Sequence, residues 1–270
     1  MNKDIRGLSY LDAIRPDPGW ETDLSLITSY SCDLVVLVAV MLALAGLDDE
    51  RGSGSKVDFA SAHEKLSDRL RFLVQAGRMS APNVKPAILG VMDQFVCEIK
   101  TDERARSWHP KLALIRYIQP EQGLVQWRFW TGSRNLTRDD SYDMGLLLVA
   151  NHEGEGSPIE GMGDIGRTLL DIAGLTRHTR SSIKRELDSA TWVSPDGITV
   201  RQIEFRHEGH LTGLPKIPED LEELLVISPF LDGGITRELG AWGSESTRRL
   251  LLSSRMALTA LLDQKQKPTA

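Results

Sequence analysis

Fourteen successive residues without a polar side chain, Leu34 to Leu47, stand between Asp33 and Asp48. The run is too short for the roughly 20 residues that a bilayer-spanning helix needs. It also lies too far into the chain, behind a polar N-terminal segment, for a secretory signal peptide. Such a run must be enclosed by protein, and Asp33 in N-cap position predicts a helix from about Leu34 to Gly46. The alternating stretch Leu24–Ser29 ahead of it predicts a strand, so the core begins as a buried strand–helix unit.

The pattern then repeats. Asp48 to Val57 reads as a flexible charged connection, Leu70–Gln75 as a second strand and Lys85–Phe95 as a second helix. Lys111–Ile118, Leu124–Thr131 and Met144–Ala150 suit strands, the first two joined by a hairpin turn over Gln119–Gly123. The Gly-rich acidic stretch Asn151–Gly163 marks a boundary, and Ile165 to about Leu187 reads as helical. Beyond it, Leu224–Asp232 parallels Leu26–Asp33, and Arg249–Ser253 stands where Arg71–Gln75 stood. The expected fold class is α/β, with mixed sheets flanked by helices. Its expected layout is an N-terminal surface arm (1–22), a first lobe (23–155), a helical linker (156–198) and a partial second lobe (199–270).

Composition narrows the partners. The 270 residues carry a net charge of -6, so any nucleic-acid binding has to come from a local patch. Cys32 and Cys97 lack the close spacing of metal or disulfide frameworks and read as reduced core thiols. His207-Glu-Gly-His210 lacks the one-turn spacing of zinc proteases, and His63-Glu-Lys65 reads as a solvated helix face. No metal or cofactor is implied, no membrane-docking stretch is visible, and a cytoplasmic location is expected.

The chemistry concentrates in Ser107-Trp-His-Pro-Lys111 and, across the hairpin, Trp130-Thr-Gly-Ser-Arg-Asn-Leu-Thr137. In an extended chain His109 and Lys111 point to one face, because side chains alternate with period two. An antiparallel return brings Gly132, Ser133 and Asn135 to the same end of the strand pair. An imidazole, an ammonium, a hydroxyl and a carboxamide suit phosphoryl transfer: nucleophile, fixed cation and neutral donors for the non-bridging oxygens. Gly132 lets the backbone approach a phosphate. Trp108 and Arg134 are substrate-binding candidates, with Trp108, Trp127 and Trp130 set beside Arg106, Arg128, Arg134 and Arg138 as single-strand binders arrange them. For Trp127 or Trp130, packing is the expectation.

This His-x-Lys followed by Gly-Ser-x-Asn resembles the motif of the phospholipase D superfamily, and its longer form, His-Pro-Lys with Gly-Ser-Arg-Asn-Leu-Thr, is similar to the nuclease-like bacterial members. The resemblance covers His109 to Thr137 closely. It implies a metal-independent phosphodiesterase with His109 as nucleophile forming a phosphohistidine, Lys111 and Asn135 as its catalytic companions, and nucleic acid rather than lipid as substrate. Two departures stand out. The family's usual Asp, five residues after the Lys, is here Arg116, which leaves the His, Lys, Asn set of tyrosyl-DNA-phosphodiesterase-like relatives. The family also joins two such motifs in one site, and spacing places the second beyond residue 270. A longer polypeptide or a homodimer is therefore expected to supply it. The alternatives are a non-catalytic phosphate-binding scaffold and a lipid-headgroup phosphodiesterase.

Overall fold

The computed structural model describes residues 9–49, 53–82, 87–103, 107–139, 143–150, 156–206, 214, 217 and 220–266. The chain divides into two compact units, one running to Phe205 and one starting at Arg206. In chain order the first contains α1 (Tyr10–Ile14), β1 (Glu21–Ser29), β2 (Cys32–Asp33), α2 (Leu34–Ala45), α3 (Lys56–Leu66), β3 (Leu70–Gln75), β4 (Met79–Ser80), a 3-10 helix (Ala87–Phe95) and β5 (Val96–Ile99). It continues with β6 (Leu112–Gln119), β7 (Leu124–Gly132), β8 (Gly145–Ala150), α4 (Met162–Ala173) and α5 (Arg180–Ser189).

Six strands form one mixed sheet in the order β5-β3-β1-β6-β7-β8. β1, β3 and β5 run parallel, whereas β6, β7 and β8 follow as antiparallel neighbours. Helices flank both faces. Ile27, Phe72, Val74, Ala113, Ile115 and Tyr117 pack with α2 and α3 on one side, while Leu26, Leu73, Leu114, Phe129 and Leu148 pack with α4 and α5 on the other. Because β1 is covered on both faces, its small polar side chains Ser25, Thr28 and Ser29 are buried as fully as Leu24, Leu26 and Ile27.

The long apolar run is the inner helix α2, with Val40, Met41, Ala43 and Leu44 fully buried. It stops at Gly46, which takes the left-handed conformation (φ 65°) and returns its N–H to the carbonyls of Ala43 and Leu42. Asp33 has N-cap backbone angles but its side chain does not cap; it accepts from the backbone N–H and Nε of Arg138 instead.

Several expectations change. Residues 1–8 lie outside the described set, and the rest of the expected surface arm is packed. Ala13 and Ile14 are buried, Tyr117 donates to the Ile14 carbonyl at 2.6 Å, and Arg128 reaches the Arg15 carbonyl and the Asp17 carboxylate. Its anchors come from β6 and β7, about a hundred residues away, so a local reading sees only a polar segment. Helix α3 begins inside the expected flexible connection, marked by a reciprocal cap between Ser55 and Asp58 and by buried Phe59, Ala62 and Leu66. The expected Lys85–Phe95 helix is, from Ala87 on, a 3-10 segment followed by the edge strand β5, and residues 85 and 86 lie outside the described set. The helical stretch after residue 165 is split at Gly174, and it covers a sheet face where the sequence suggested a linker.

The second unit contains β9 (Glu223–Ile227), α6 (Gly233–Gly240), β10 (Arg248–Leu252) and α7 (Arg255–Gln266), with β9 and β10 parallel. Its strand-to-helix turn matches that after β1. Ser29 Oγ donates to the Ser31 carbonyl and Ser228 Oγ to the Phe230 carbonyl, and the N-cap angles are -102° and 130° at Asp33, -104° and 133° at Asp232. Among the described residues, no helix is long and apolar enough to cross a membrane.

A buried ionic cluster ties α5 and the segment before it to the sheet. Asp23, at the bulge in β1, accepts from Arg116 Nη1 (2.5 Å), Arg177 Nε (3.0 Å) and His178 Nε2 (2.8 Å). Arg116 also reaches Glu186, which accepts from Trp127 Nε1. Burial pushes the Asp23 carboxyl up, but the His178 and Arg177 hydrogen bonds and the Arg116 charge outweigh it and hold it well below the usual carboxylate range. Asp23→Ala leaves the largely buried Arg116 with Glu186 alone and removes the sheet partner of Arg177 and His178, and is expected to cost about 3 kcal/mol in urea denaturation. The wild-type contribution is full above the unfolded carboxylate value of about 3.9 and is lost as pH falls from there through the lower folded value.

Candidate functional site

Because β6 runs antiparallel to β1, its N-terminal end lies at the edge where β1, β3 and β5 end. Loops at the carboxyl ends of parallel strands are where open α/β sheets bind ligands. The register is fixed by Thr28 opposite Leu112 and by Leu112 opposite Thr131. Thr28 Oγ1 accepts from the Leu112 N–H at 3.0 Å, and the Lys111 carbonyl accepts from Gly132 N and Thr131 Oγ1. Lys111 is thus held one residue before β6.

His109 and Lys111 do share a face: Lys111 Nζ lies 2.9 Å from His109 Nδ1. An ammonium has no lone pair, so it donates to the ring nitrogen, which leaves the ring proton of the neutral imidazole on Nε2. Partial burial, then the Lys111 charge, lowers the His109 pKa from 6.5. Burial also lowers that of Lys111, against the pull of the Asp143 carboxylate. The Tyr30 ring packs on the imidazole with centroids 4.5 Å apart and planes tilted by 33°.

Asn135 is positioned by the tail of β1. Ser29 Oγ accepts from the Leu136 N–H at 3.0 Å and lies 3.5 Å from Asn135 Oδ1. The Leu136 carbonyl in turn accepts from Asp33 N at 2.8 Å. The Gly-Ser-x-Asn turn is therefore docked on the strand end that also carries Tyr30, and among the described residues the Asn135 amide nitrogen meets no acceptor.

The other candidates are placed differently. Trp108 is buried: its indole N–H donates to the Leu73 carbonyl and its ring meets Phe205 edge-on. It is a core residue and not a base platform, because its aromatic surface has found an apolar partner beyond the range of local spacing. Gly132 is required by close packing of β8, since a Cβ there would run into the Met144 carbonyl and lie 2.9 Å from Gly145 Cα. Ser133 Oγ donates to Asp143 at 2.7 Å, and Arg134 bonds the other oxygen of that carboxylate at 3.0 Å. Both are committed to Asp143 in this state. Of the expected arginine patch, Arg128 is buried on Asp17 and carbonyls, Arg138 pairs with Asp33, and Arg106 lies outside the described residues.

Trp127 and Trp130 are packed. Cys32 is buried and Cys97 half-buried, both as free thiols, and burial, then the nearby Asp33 and Glu98 charges, pushes the Cys32 thiol up to about 12. His152, His207 and His210 fall outside the described residues. Among the described residues, no group of three His, Cys, Asp or Glu side chains is arranged to hold a metal. The sequence reading missed Tyr30, Ser29 and Asp143. The repeated Ser-x-x-x-Asp after β1 and β9 pointed at Ser29, whereas nothing local pointed at Tyr30 or Asp143.

No family model, curated protein or solved structure matches this chain. Two outcomes check the site geometry. Gly132→Ala is expected to lose about 1–3 kcal/mol in urea denaturation through overpacking against β8. In an NMR pH titration, Lys111→Met is expected to raise the His109 midpoint by removing a neighbouring cation.

Proposed function

We propose that this protein is a metal-independent phosphodiesterase of phospholipase D type, acting on nucleic-acid phosphodiesters through a phosphohistidine at His109. The observation that carries the reading is the 2.9 Å approach of Lys111 Nζ to His109 Nδ1 beside the docked Asn135 turn. In this reading an arriving phosphodiester draws the Lys111 ammonium onto its non-bridging oxygens, with Asn135 as a neutral donor and Ser133 joining once released from Asp143. Lys111 then leaves Nδ1, the ring proton relocates there through solvent, and the Nε2 lone pair attacks phosphorus. The P–N bond forms as the bond to the leaving oxygen breaks. That oxygen takes its proton from a second general acid, which a second half-site of this kind supplies. Water then cleaves the P–N bond and returns the imidazole.

A non-catalytic reading, a half-site that holds phosphate without turnover, is favoured by one observation. Among the described residues no carboxylate bonds His109, and Arg116 faces Asp23 and Glu186. Incubation with end-labelled single-stranded DNA and RNA, beside phosphatidylcholine vesicles, separates the readings. The expected result is cleavage of nucleic acid and an acid-labile, base-stable phosphoenzyme, both abolished in His109→Ala. Phosphate binding that needs Lys111, with no cleavage and no phosphoenzyme in any oligomeric state seen by light scattering, overturns the catalytic reading.

A further inference from the structure

We propose that Tyr30 is a positioning residue for His109: its ring, itself held by Arg78, keeps the imidazole in the orientation that meets Lys111. The placement begins in the backbone. Tyr30 directly follows Ser29, which is paired with Val74 of β3 and hydrogen-bonded to the Leu136 N–H, so the base of the side chain is fixed from two sides. The ring contacts the imidazole at 4.5 Å, and the Arg78 guanidinium sits over the ring at 5.2 Å.

Arg78 is in turn fixed. Its Nε and Nη2 fork onto the two carboxylate oxygens of Glu103, one of which lies 3.5 Å from the Tyr30 hydroxyl. A planar fork bound at both prongs loses the freedom a lysine would keep, so the guanidinium is a stable surface for the ring. Glu103, Arg78, Tyr30, His109 and Lys111 therefore form one continuous series of contacts, drawn from the loops after β5, β3 and β1 and the segment before β6. The last member has the only cation in contact with the imidazole among the described residues.

An imidazole on an exposed segment before Pro110 has no other described ring or carboxylate against it. Without Tyr30 it would sample several rotamers, and a nucleophile must be held within a narrow range of approach. Among the described residues the charged groups around it are Lys111, with Asp143 behind it, and the Arg78–Glu103 ion pair. Removing the ring therefore acts on His109 mainly by admitting water, which moves its pKa upward toward the ordinary value.

The contact does not depend on the phosphodiesterase reading, whereas its effect on turnover rests on it. NMR of the intact chain, with the imidazole assigned through His109→Gln, is expected to show cross-relaxation between the Tyr30 and His109 rings in the wild type. Tyr30→Ala is expected to raise the His109 titration midpoint, and Tyr30→Phe to keep the wild-type midpoint because the ring is retained. Absent cross-relaxation in the wild type, or an unchanged midpoint in a folded Tyr30→Ala, overturns the proposal. Where His109-dependent hydrolysis is measurable, Tyr30→Ala should lower kcat about tenfold or more with little change in KM, restored by Phe. Full kcat in Tyr30→Ala overturns the positioning role.

Discussion

Strand β1 pairs parallel with β3 on one side and antiparallel with β6 on the other, and that double pairing underlies the rest of the first unit. The parallel pair demands a crossover, which the chain supplies as α2 and α3, and so one sheet face is covered by the longest apolar run. The antiparallel pair places the start of β6 against the end of β1. Lys111 then lies beside Ser29, and His109, two residues earlier, reaches the Tyr30 ring. Had β6 joined the sheet parallel to β1, the same residues would stand at the opposite edge, among the acids and arginines of the Asp23 cluster.

Those two edges hold different electrostatics. At the Asp23 edge, a buried carboxylate is paired with three cations drawn from β6 and the segment before α5, and Arg116 also pairs with Glu186 of α5, so the ions work as a fastening. Arg116 belongs there because five residues of β6 carry it from the Lys111 end to the Asp23 end. At the other edge, burial disfavours the charged forms of both His109 and Lys111. A cation that donates to an imidazole and is incompletely paired is available to an anion. This difference distinguishes a site from a structural ion network more clearly than the residue types do.

Asp143 links the Gly-Ser-x-Asn turn to Lys111. It holds Ser133 and Arg134 and acts on Lys111 through space. In the proposed reading, an entering anion would compete with that carboxylate for the same donors.

By itself the sequence determined the local elements: strands near 24–29, 70–75, 111–118, 124–131 and 144–150, the enclosed helix after Asp33, and the shared face of His109 and Lys111. These follow from backbone periodicity, the uninterrupted apolar run and the hairpin turn, all of which act within a few residues. The tertiary structure decided what depends on distant partners. It turned Trp108 into the core against Leu73 and Phe205, committed Ser133 and Arg134 to Asp143, packed residues 9–22 under β6 and β7, and laid α4 and α5 on the sheet. Tyr30 was illegible for the same reason. A tyrosine at a strand end looks alike wherever it occurs, and only strand pairing puts the His109 ring against it.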